Sequence, residues 1–512
     1  MSSLFPGPQA QSPTGRPTIR PRLRSRLAAG TAMSLIATVV GQGFALLTSI
    51  IYARLLGPRN LGVLAIYTQI AAIAVSIAGI ELGIPITRFV ANLRTKGSAN
   101  LERFLGTVLT VVILSSAVSS VILVALGEAI GLGVYGSPIL ATMIRIATGF
   151  LVLNVLSAVA VAILQGLQQV RLMSIIGILI EALTFPVMFI SLSVLGLIGA
   201  AVGGVVVAGA GAVILFGSAR KHLKREGVQM RLSFDRESAR GLFRFTLPLL
   251  GSIVLLKVAW LYQSSFLALN LGYDDTGLFR VASTVSRSIA FVSGAMSIPL
   301  LPALSEMYAT ASKSRTRENL TTLLRLTALV GFPLAAAVGL GSRIVVEALF
   351  GTGYAGASVV AFVLVVAAFL EAVNGVAANA LLGGGRTSTL LMVDALQAFI
   401  IVAGTLMFVG SFGLIGAAYV SLLASIVYGV VVLGLLQKKR VIDLKRVSVP
   451  LLLAFAGLSV AAGSLSWGVQ SNLPMIVIAV LVATAMSWAF MSSLERTLLR
   501  GAIGDLWRRQ PA

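Results

Sequence analysis

The sequence predicts an all-α membrane protein of about fourteen transmembrane helices, built as two six-helix lobes related by an internal parallel repeat, with two extra C-terminal helices. Three observations predict it. Of 512 residues, 57% are hydrophobic and only 11% are charged. Apolar stretches long enough to cross a bilayer recur along the chain. One six-residue motif returns unchanged 217 residues later. A soluble globule of this composition, with mean hydropathy +0.98, would be coated in apolar surface, so lipid is the solvent for most of the chain.

A spanning helix needs about 20 apolar residues to cross roughly 30 Å of hydrocarbon. Stretches of that length lie at 30–53, 60–83, 104–127, 138–163, 169–192, 195–217, 244–269, 276–300, 320–343, 357–381, 388–409, 413–436, 448–468 and 473–492, divided by short polar or Gly/Pro-marked turns. Residues 1–28, rich in Pro, Ser and Arg, are expected to form a disordered cytoplasmic tail. The apolar segment that follows is too long for a signal-peptide core and reads as a retained first span. The lobes are drawn at 29–217 and 244–437, joined by a basic cytoplasmic linker at 218–243. Two further helices at 448–492 and a cytoplasmic tail at 493–512 complete the chain.

A net charge of +22 raises the question of nucleic acid, which the placement of the charge answers. Apart from Arg54, Arg59, Arg145, Lys257, Arg280, Arg287 and Arg343, every Lys and Arg lies in the two tails or an even-numbered connection, or within a few residues of one. That asymmetry is the positive-inside rule, predicting that both termini are inside. The basic face then meets anionic lipid heads, and no nucleic-acid partner is expected. With no Cys and His222 as the only His, disulfides, Cys/His zinc sites and Cys or His nucleophiles are excluded. No phosphate-binding nucleotide loop or metal-ligand cluster appears, so neither a cofactor nor ATP hydrolysis by this chain is expected.

The repeat is read from four landmarks. Gly-Leu-Ile-Gly-Ala-Ala stands at Gly196 to Ala201 and again at Gly413 to Ala418, and Gln165-Gly166 answers Leu382-Gly383 at the same offset. Leu56-Gly57 with Gly62 matches Leu271-Gly272 with Gly277 at offset 215, and Ile84-Pro85 matches Ile298-Pro299 at 214. Six spans per repeat is an even number, so both halves enter from the same side, and a pseudo-two-fold axis along the membrane normal is expected.

The run from Tyr52 to Ala65, Tyr-Ala-Arg-Leu-Leu-Gly-Pro-Arg-Asn-Leu-Gly-Val-Leu-Ala, followed by Gly83-Ile-Pro-Ile-Thr-Arg88, resembles the polysaccharide exporter and oligosaccharide flippase family of the multidrug/oligosaccharidyl-lipid/polysaccharide flippase superfamily. The twelve-span body and the turn Leu382-Gly-Gly-Gly-Arg386 are similar to it too, over roughly residues 30 to 440. The resemblance implies a bacterial inner-membrane flippase that moves undecaprenyl-(pyro)phosphate-linked oligosaccharide by alternating access, for surface polysaccharide assembly. Its implied partners are that lipid-linked glycan, membrane lipids and other glycan-assembly membrane proteins.

Charges within a span cost several kcal/mol unless they meet water or a partner, so each is a candidate site. Arg280, Ser283, Thr284 and Arg287 follow i, i+3, i+4, i+7 and share one face of the eighth span. Their counterparts in the first lobe are Ala65, Thr68, Gln69 and Ala72. Lys257 lies mid-span opposite Gln42 in the repeat, as Glu371 lies opposite Asn154. A pyrophosphate in a low-dielectric interior needs cations or amide donors, and the guanidinium fork pairs two phosphate oxygens at once. The candidate substrate-binding set is therefore Lys257, Arg280 and Arg287 with Ser283, Thr284 and Gln42, supplemented by Arg54, Arg88 and Arg145. Against this, Arg54 and Arg88 at span ends suit snorkelling to head groups, and Arg145 suits pairing with an acid on a neighbouring helix. Glu81, Glu181, Glu371 and Asp394 are candidates for coupling to a proton or sodium ion, or for salt bridges to these cations.

Two other readings compete. A cation-coupled multidrug exporter of the same superfamily calls for an acidic, aromatic pocket, whereas the eighth span is basic. A membrane enzyme of the same glycan pathway needs positioned groups in sizeable extramembrane loops, and the predicted outer loops are a few residues each.

Overall fold

In a bilayer each backbone N–H and C=O must be satisfied within its own segment, which leaves helices as the economical solution for this chain. The computed structural model describes residues 21–93, 98–289, 313–383, 387–464, 473–493 and 495–496, and among these every regular element is helical. The order is α1 (Pro21–Gly79), α2 (Gly83–Leu93), α3 (Ser98–Glu128), α4 (Pro138–Gly166), α5 (Val170–Leu195), α6 (Leu197–Arg225), α7 (Arg236–Asn270) and α8 (Tyr273–Ser286). It continues with α9 (Lys313–Leu340), α10 (Ser342–Phe350), α11 (Ala357–Gly383), α12 (Thr387–Gly404), α13 (Gly410–Lys438), α14 (Leu444–Ser464) and α15 (Leu473–Phe490).

Ten segments among the described residues are long and apolar enough to cross a membrane. Two of them, Ala37–Gly79 and Ser388–Lys438, run 43 and 51 residues, about twice the length that one crossing requires. Each is broken by a glycine in a conformation that L side chains avoid: Gly57 (φ 71°, ψ 173°) in α1 and Gly413 (φ 59°, ψ −141°) in α13. Each thus carries two of the expected spans, and the multi-pass architecture agrees with about fourteen crossings. The eighth span is helical from Tyr273 to Ser286 and tightens to a 3-10 turn at Arg287–Ile289. Its expected continuation to 300, Ile298-Pro299, residues 1–20 and most of 493–512 lie outside the described residues, whereas residues 21–28, expected in a disordered tail, are helical and open α1.

Contacts divide the chain after Gly277. In the first unit α4 packs on α3 and α6, α1 on α5, α2 on α4, and α7 on α1. In the second, α11 packs on α13, and α9 carries α11, α14 and α15. The contact division falls one helix later than the lobe boundary that the repeat draws, because α7 is packed on α1.

The repeat landmarks share local geometry. Gly196, which opens α6, has φ 57° and ψ −137°, within a few degrees of Gly413. Three residues on, a Cβ at Gly199 would lie 2.0 Å from the Ser191 carbonyl oxygen and one at Gly416 2.5 Å from that of Phe408, so each helix starts against the end of its predecessor. At the other motif the contact is reciprocal. A Cβ at Gly62 would lie 2.0 Å from the Tyr273 oxygen, and one at Gly277 2.0 Å from the Pro58 oxygen. Since Pro58 and Tyr273 are themselves 215 apart, the two turns pack on one another as a self-complementary pair.

A second element is built twice at the connections that follow the sixth and twelfth spans. The Asp235 N–H donates to Thr107 Oγ1 in α3, and the Asp443 N–H donates to Thr321 Oγ1 in α9, both at 3.0 Å. Each threonine has an arginine four residues before it: Arg103 pulls electrostatically on Asp235, and Arg317 Nη2 lies 3.8 Å from Asp443 Oδ2. Asp235 caps α7 through the Ser238 N–H at 2.8 Å. Hydrogen bonds from Ser238 hold its carboxyl below the ordinary aspartate range, with Arg103 adding the smallest pull.

Candidate functional site

Lys257 sits at the middle of the apolar part of α7, Thr246–Asn270. Its ammonium donates to the Ala72 carbonyl of α1 at 3.4 Å and to the Ser76 hydroxyl. Glu81 Oε1 stands 4.0 Å away, and the two side chains are 37% and 30% exposed, so the pair is open on one side. Glu81 belongs to the three-residue turn between α1 and α2. There Ile80 (φ 50°) and Glu81 (φ 48°) both take left-handed backbone conformations, although glycines stand at 79 and 83. Ile80 and Leu82 are buried on either side of it.

Gln42 and Glu181, expected in separate roles, are brought to one cavity of about 370 Å³ between α1 and α5, lined also by Thr38 and Ser174. Among the described residues its lining holds a carboxylate, an amide and hydroxyls but no cation. Arg145 pairs with Glu128 at 2.5 Å, and both side chains are exposed. Arg54 is exposed beside the Gly57 break. Arg88 lies in α2, and its side chain is outside the described residues. In the first-lobe counterpart of the eighth-span stripe, Thr68 bonds its own helix at Ala65, and Gln69 donates to Ser264 of α7 at 2.7 Å.

In the second unit Val281, Ala282, Val285 and Ser286 form the buried face of α8, whereas Arg280, Ser283 and Thr284 are half-buried and Arg287 is exposed. The predicted polar stripe is thus the open side of this helix. Thr284 spends its hydroxyl on the Arg280 carbonyl at 2.9 Å. Glu371, at mid-α11, accepts from the Ser425 hydroxyl at 3.3 Å and feels the charge of Arg287. Asn374, one turn on, donates to the Ser425 carbonyl at 2.9 Å. Asp394 is buried and hydrogen-bonded to Tyr428.

The partners Ser76, Ser425 and Tyr428 were not legible as site residues in the sequence. Ser76 lies seven residues after Gln69, so extending the polar face of the second span by two turns is the signal that finds it. Among the described residues no group of three or more His, Cys, Asp or Glu side chains is gathered for a metal.

Residues 51–359 match the model of the polysaccharide biosynthesis protein family. The chain belongs to this family. Over 294 residues, 56% of this chain and 68% of the relative, it is 26% identical to the lipid III flippase of Escherichia coli (strain K12). The fold is similar to that of the lipid II flippase MurJ in an inward closed conformation, with TM-score 0.69 and 15% identity over 92% of this chain and all of that one. A multidrug resistance MATE transporter of the MOP superfamily, in an inward-facing conformation, gives TM-score 0.59 and 17% identity over 79% of this chain and 99% of that one. The family member is thus built on the fold that these solved flippase and multidrug-transporter structures share, as the turn sequences implied.

Proposed function

We propose that the chain is a flippase for undecaprenyl-(pyro)phosphate-linked oligosaccharide, working by alternating access in the bacterial inner membrane with both termini inside. Lys257 carries the reading: an ammonium at the middle of a membrane-spanning helix, a third exposed, and matched by one carboxylate on a flexible-length side chain. A cation is retained at such depth at a cost of several kcal/mol, which a solvated passage for an anionic cargo explains. The basic stripe of α8 and the 3-10 turn after it supplies two guanidiniums, half-buried Arg280 and exposed Arg287, of the type that phosphates prefer. The likeness to a lipid III flippase supports the same class of cargo.

The test is leaflet exchange of a fluorescent undecaprenyl-pyrophosphate oligosaccharide in proteoliposomes. The parent is expected to equilibrate the lipid between leaflets, and Lys257→Gln or the Arg280→Ala, Arg287→Ala pair to slow it about tenfold, the scale of one lost charge-assisted contact. Full rates in variants that insert normally would overturn the assignment of these cations. The same vesicles, with and without an imposed proton or sodium gradient, test Glu81, Glu181, Glu371 and Asp394 as coupling groups, and an unchanged rate removes that role.

The cavity of Thr38, Gln42, Ser174 and Glu181 favours a second reading, because a carboxylate with no lining cation among the described residues suits cationic cargo. Export of ethidium by the same vesicles, lost in Glu181→Gln, would establish multidrug export in place of glycolipid flipping.

A further inference from the structure

We propose that Glu81 is an internal surrogate for the phosphate of the cargo: it holds Lys257 when the site is unloaded, and an incoming phosphate displaces it and releases a strained turn. The inference rests on the reading of Lys257 as an anion site and deepens it.

Three observations carry it. First, Glu81 is an acid facing Lys257, yet it stands at 4.0 Å, beyond a direct hydrogen bond, while the ammonium spends its short contact on Ser76 and reaches the Ala72 carbonyl at 3.4 Å. A pairing at that separation is loose enough to be exchanged. Second, both side chains are about a third exposed, so a ligand reaches the ammonium without unpacking a helix. Third, the carboxylate is presented by a strained backbone. Left-handed φ at a β-branched residue is an outlier, costing on the order of 1–3 kcal/mol and persisting where the surroundings enforce it. The flanking Gly79 and Gly83 would take such a conformation without penalty, but the positive φ falls on Ile80 and Glu81. Buried Ile80 and Leu82 pin the turn from two sides, and between them Glu81 is directed at Lys257.

A phosphate binds an ammonium with more charge and more acceptor oxygens than one carboxylate does, so it competes favourably for Lys257. Once Glu81 is free, one of the restraints that hold the left-handed pair is gone. The turn between α1 and α2 then relaxes, and occupancy of the site is converted into a change of backbone at the start of α2. The acid thereby lowers affinity for weak anions and reserves the site for ligands that displace it.

Binding of inorganic pyrophosphate to the purified full chain in nanodiscs tests this, alongside hydrogen exchange at the amides of 80–83. Glu81→Gln is expected to bind pyrophosphate about fivefold tighter, the scale of one partly exposed ion pair removed as competitor. Glu81→Asp, which keeps the charge but falls one methylene short, should lie between Glu81→Gln and the parent. Pyrophosphate should speed exchange at 80–83 in the parent but not in Glu81→Gln, where exchange is already fast. If Lys257→Gln abolishes binding while Glu81→Gln and Glu81→Asp bind no tighter than the parent, the surrogate role is wrong and the anion site stands. If the parent binds no pyrophosphate, or Lys257→Gln binds as the parent does, both readings fall.

Discussion

The connection into α7 and the connection into α14 are fastened by the same device and finished differently. In both, an aspartate N–H is caught by a threonine hydroxyl four residues after an arginine: Arg103, Thr107 and Asp235 in the first unit, Arg317, Thr321 and Asp443 in the second. Around the first, the linker lies flat on α3. Thr110 donates to the Ser233 carbonyl, Glu102 accepts from the Gln229 N–H, and Gly106 leaves room for Arg231 and Ser233. Around the second, the guanidinium of Arg325 does the fastening. It reaches Glu495 Oε1 at 2.7 Å, the Arg446 carbonyl at 2.7 Å and the Phe490 carbonyl at 3.0 Å, tying α14 and the end of α15 to α9. The difference teaches that duplication kept the backbone lock and left the surrounding chemistry free to serve local needs: close packing for a linker, and charge for helices outside the repeat.

Arg325→Gln should break that comparison most severely. It strands Glu495, which is 2% exposed, and should cost about 3 kcal/mol in the second unit with no counterpart in the first. Thermal unfolding followed by size exclusion reads it. Burial pushes the Glu495 carboxyl up, but hydrogen bonds from Arg325 and Ser492 outweigh it and leave it below its ordinary value of 4.5. A depressed value means that the contribution is present above pH 4.5 and is lost as the pH falls through the lower folded value. The gap between parent and variant melting temperatures should therefore narrow when the series is repeated toward pH 3, and a gap independent of pH would show that the carboxylate is not the partner that matters. Next in size is Gly106→Ala. Its Cβ would meet Ser233 Oγ at 2.1 Å and the Arg231 carbonyl at 2.5 Å, so the linker must lift, at about 2 kcal/mol. Smallest and most symmetrical are Thr107→Val and Thr321→Val, each removing one acceptor for about 1 kcal/mol. Equal shifts in melting temperature would support the shared lock; an effect at one site alone would mean that only one of them bears load.

Much of the fold was legible because lipid imposes a length rule and because glycine marks the repeated turns. The expected spans 138–163 and 473–492 meet α4 at Pro138–Gly166 and α15 at Leu473–Phe490 nearly end to end. The Gly196 and Gly413 landmarks return as two turns of nearly the same φ and ψ, since few residues other than glycine take that conformation. The candidate site was legible only in part. Stepping along i, i+3, i+4, i+7 finds the open face of α8, because helical periodicity is local. It does not find that Lys257 rests on Ser76, that Gln42 and Glu181 share a cavity, or that Arg145 is engaged by Glu128.

By itself, then, the sequence determined the helical class, the duplication and the chemical types set within the spans, since hydrophobic length, glycine punctuation and residue identity are properties of neighbours along the chain. Only the tertiary structure decided which acid meets which base and that α7 packs on α1. It also decided that strain falls on Ile80 and Glu81 instead of the glycines beside them. Those outcomes depend on contacts between residues far apart in the chain, such as Lys257 with Ser76 or Arg325 with Glu495, whose pairing is fixed by packing and leaves no periodic trace.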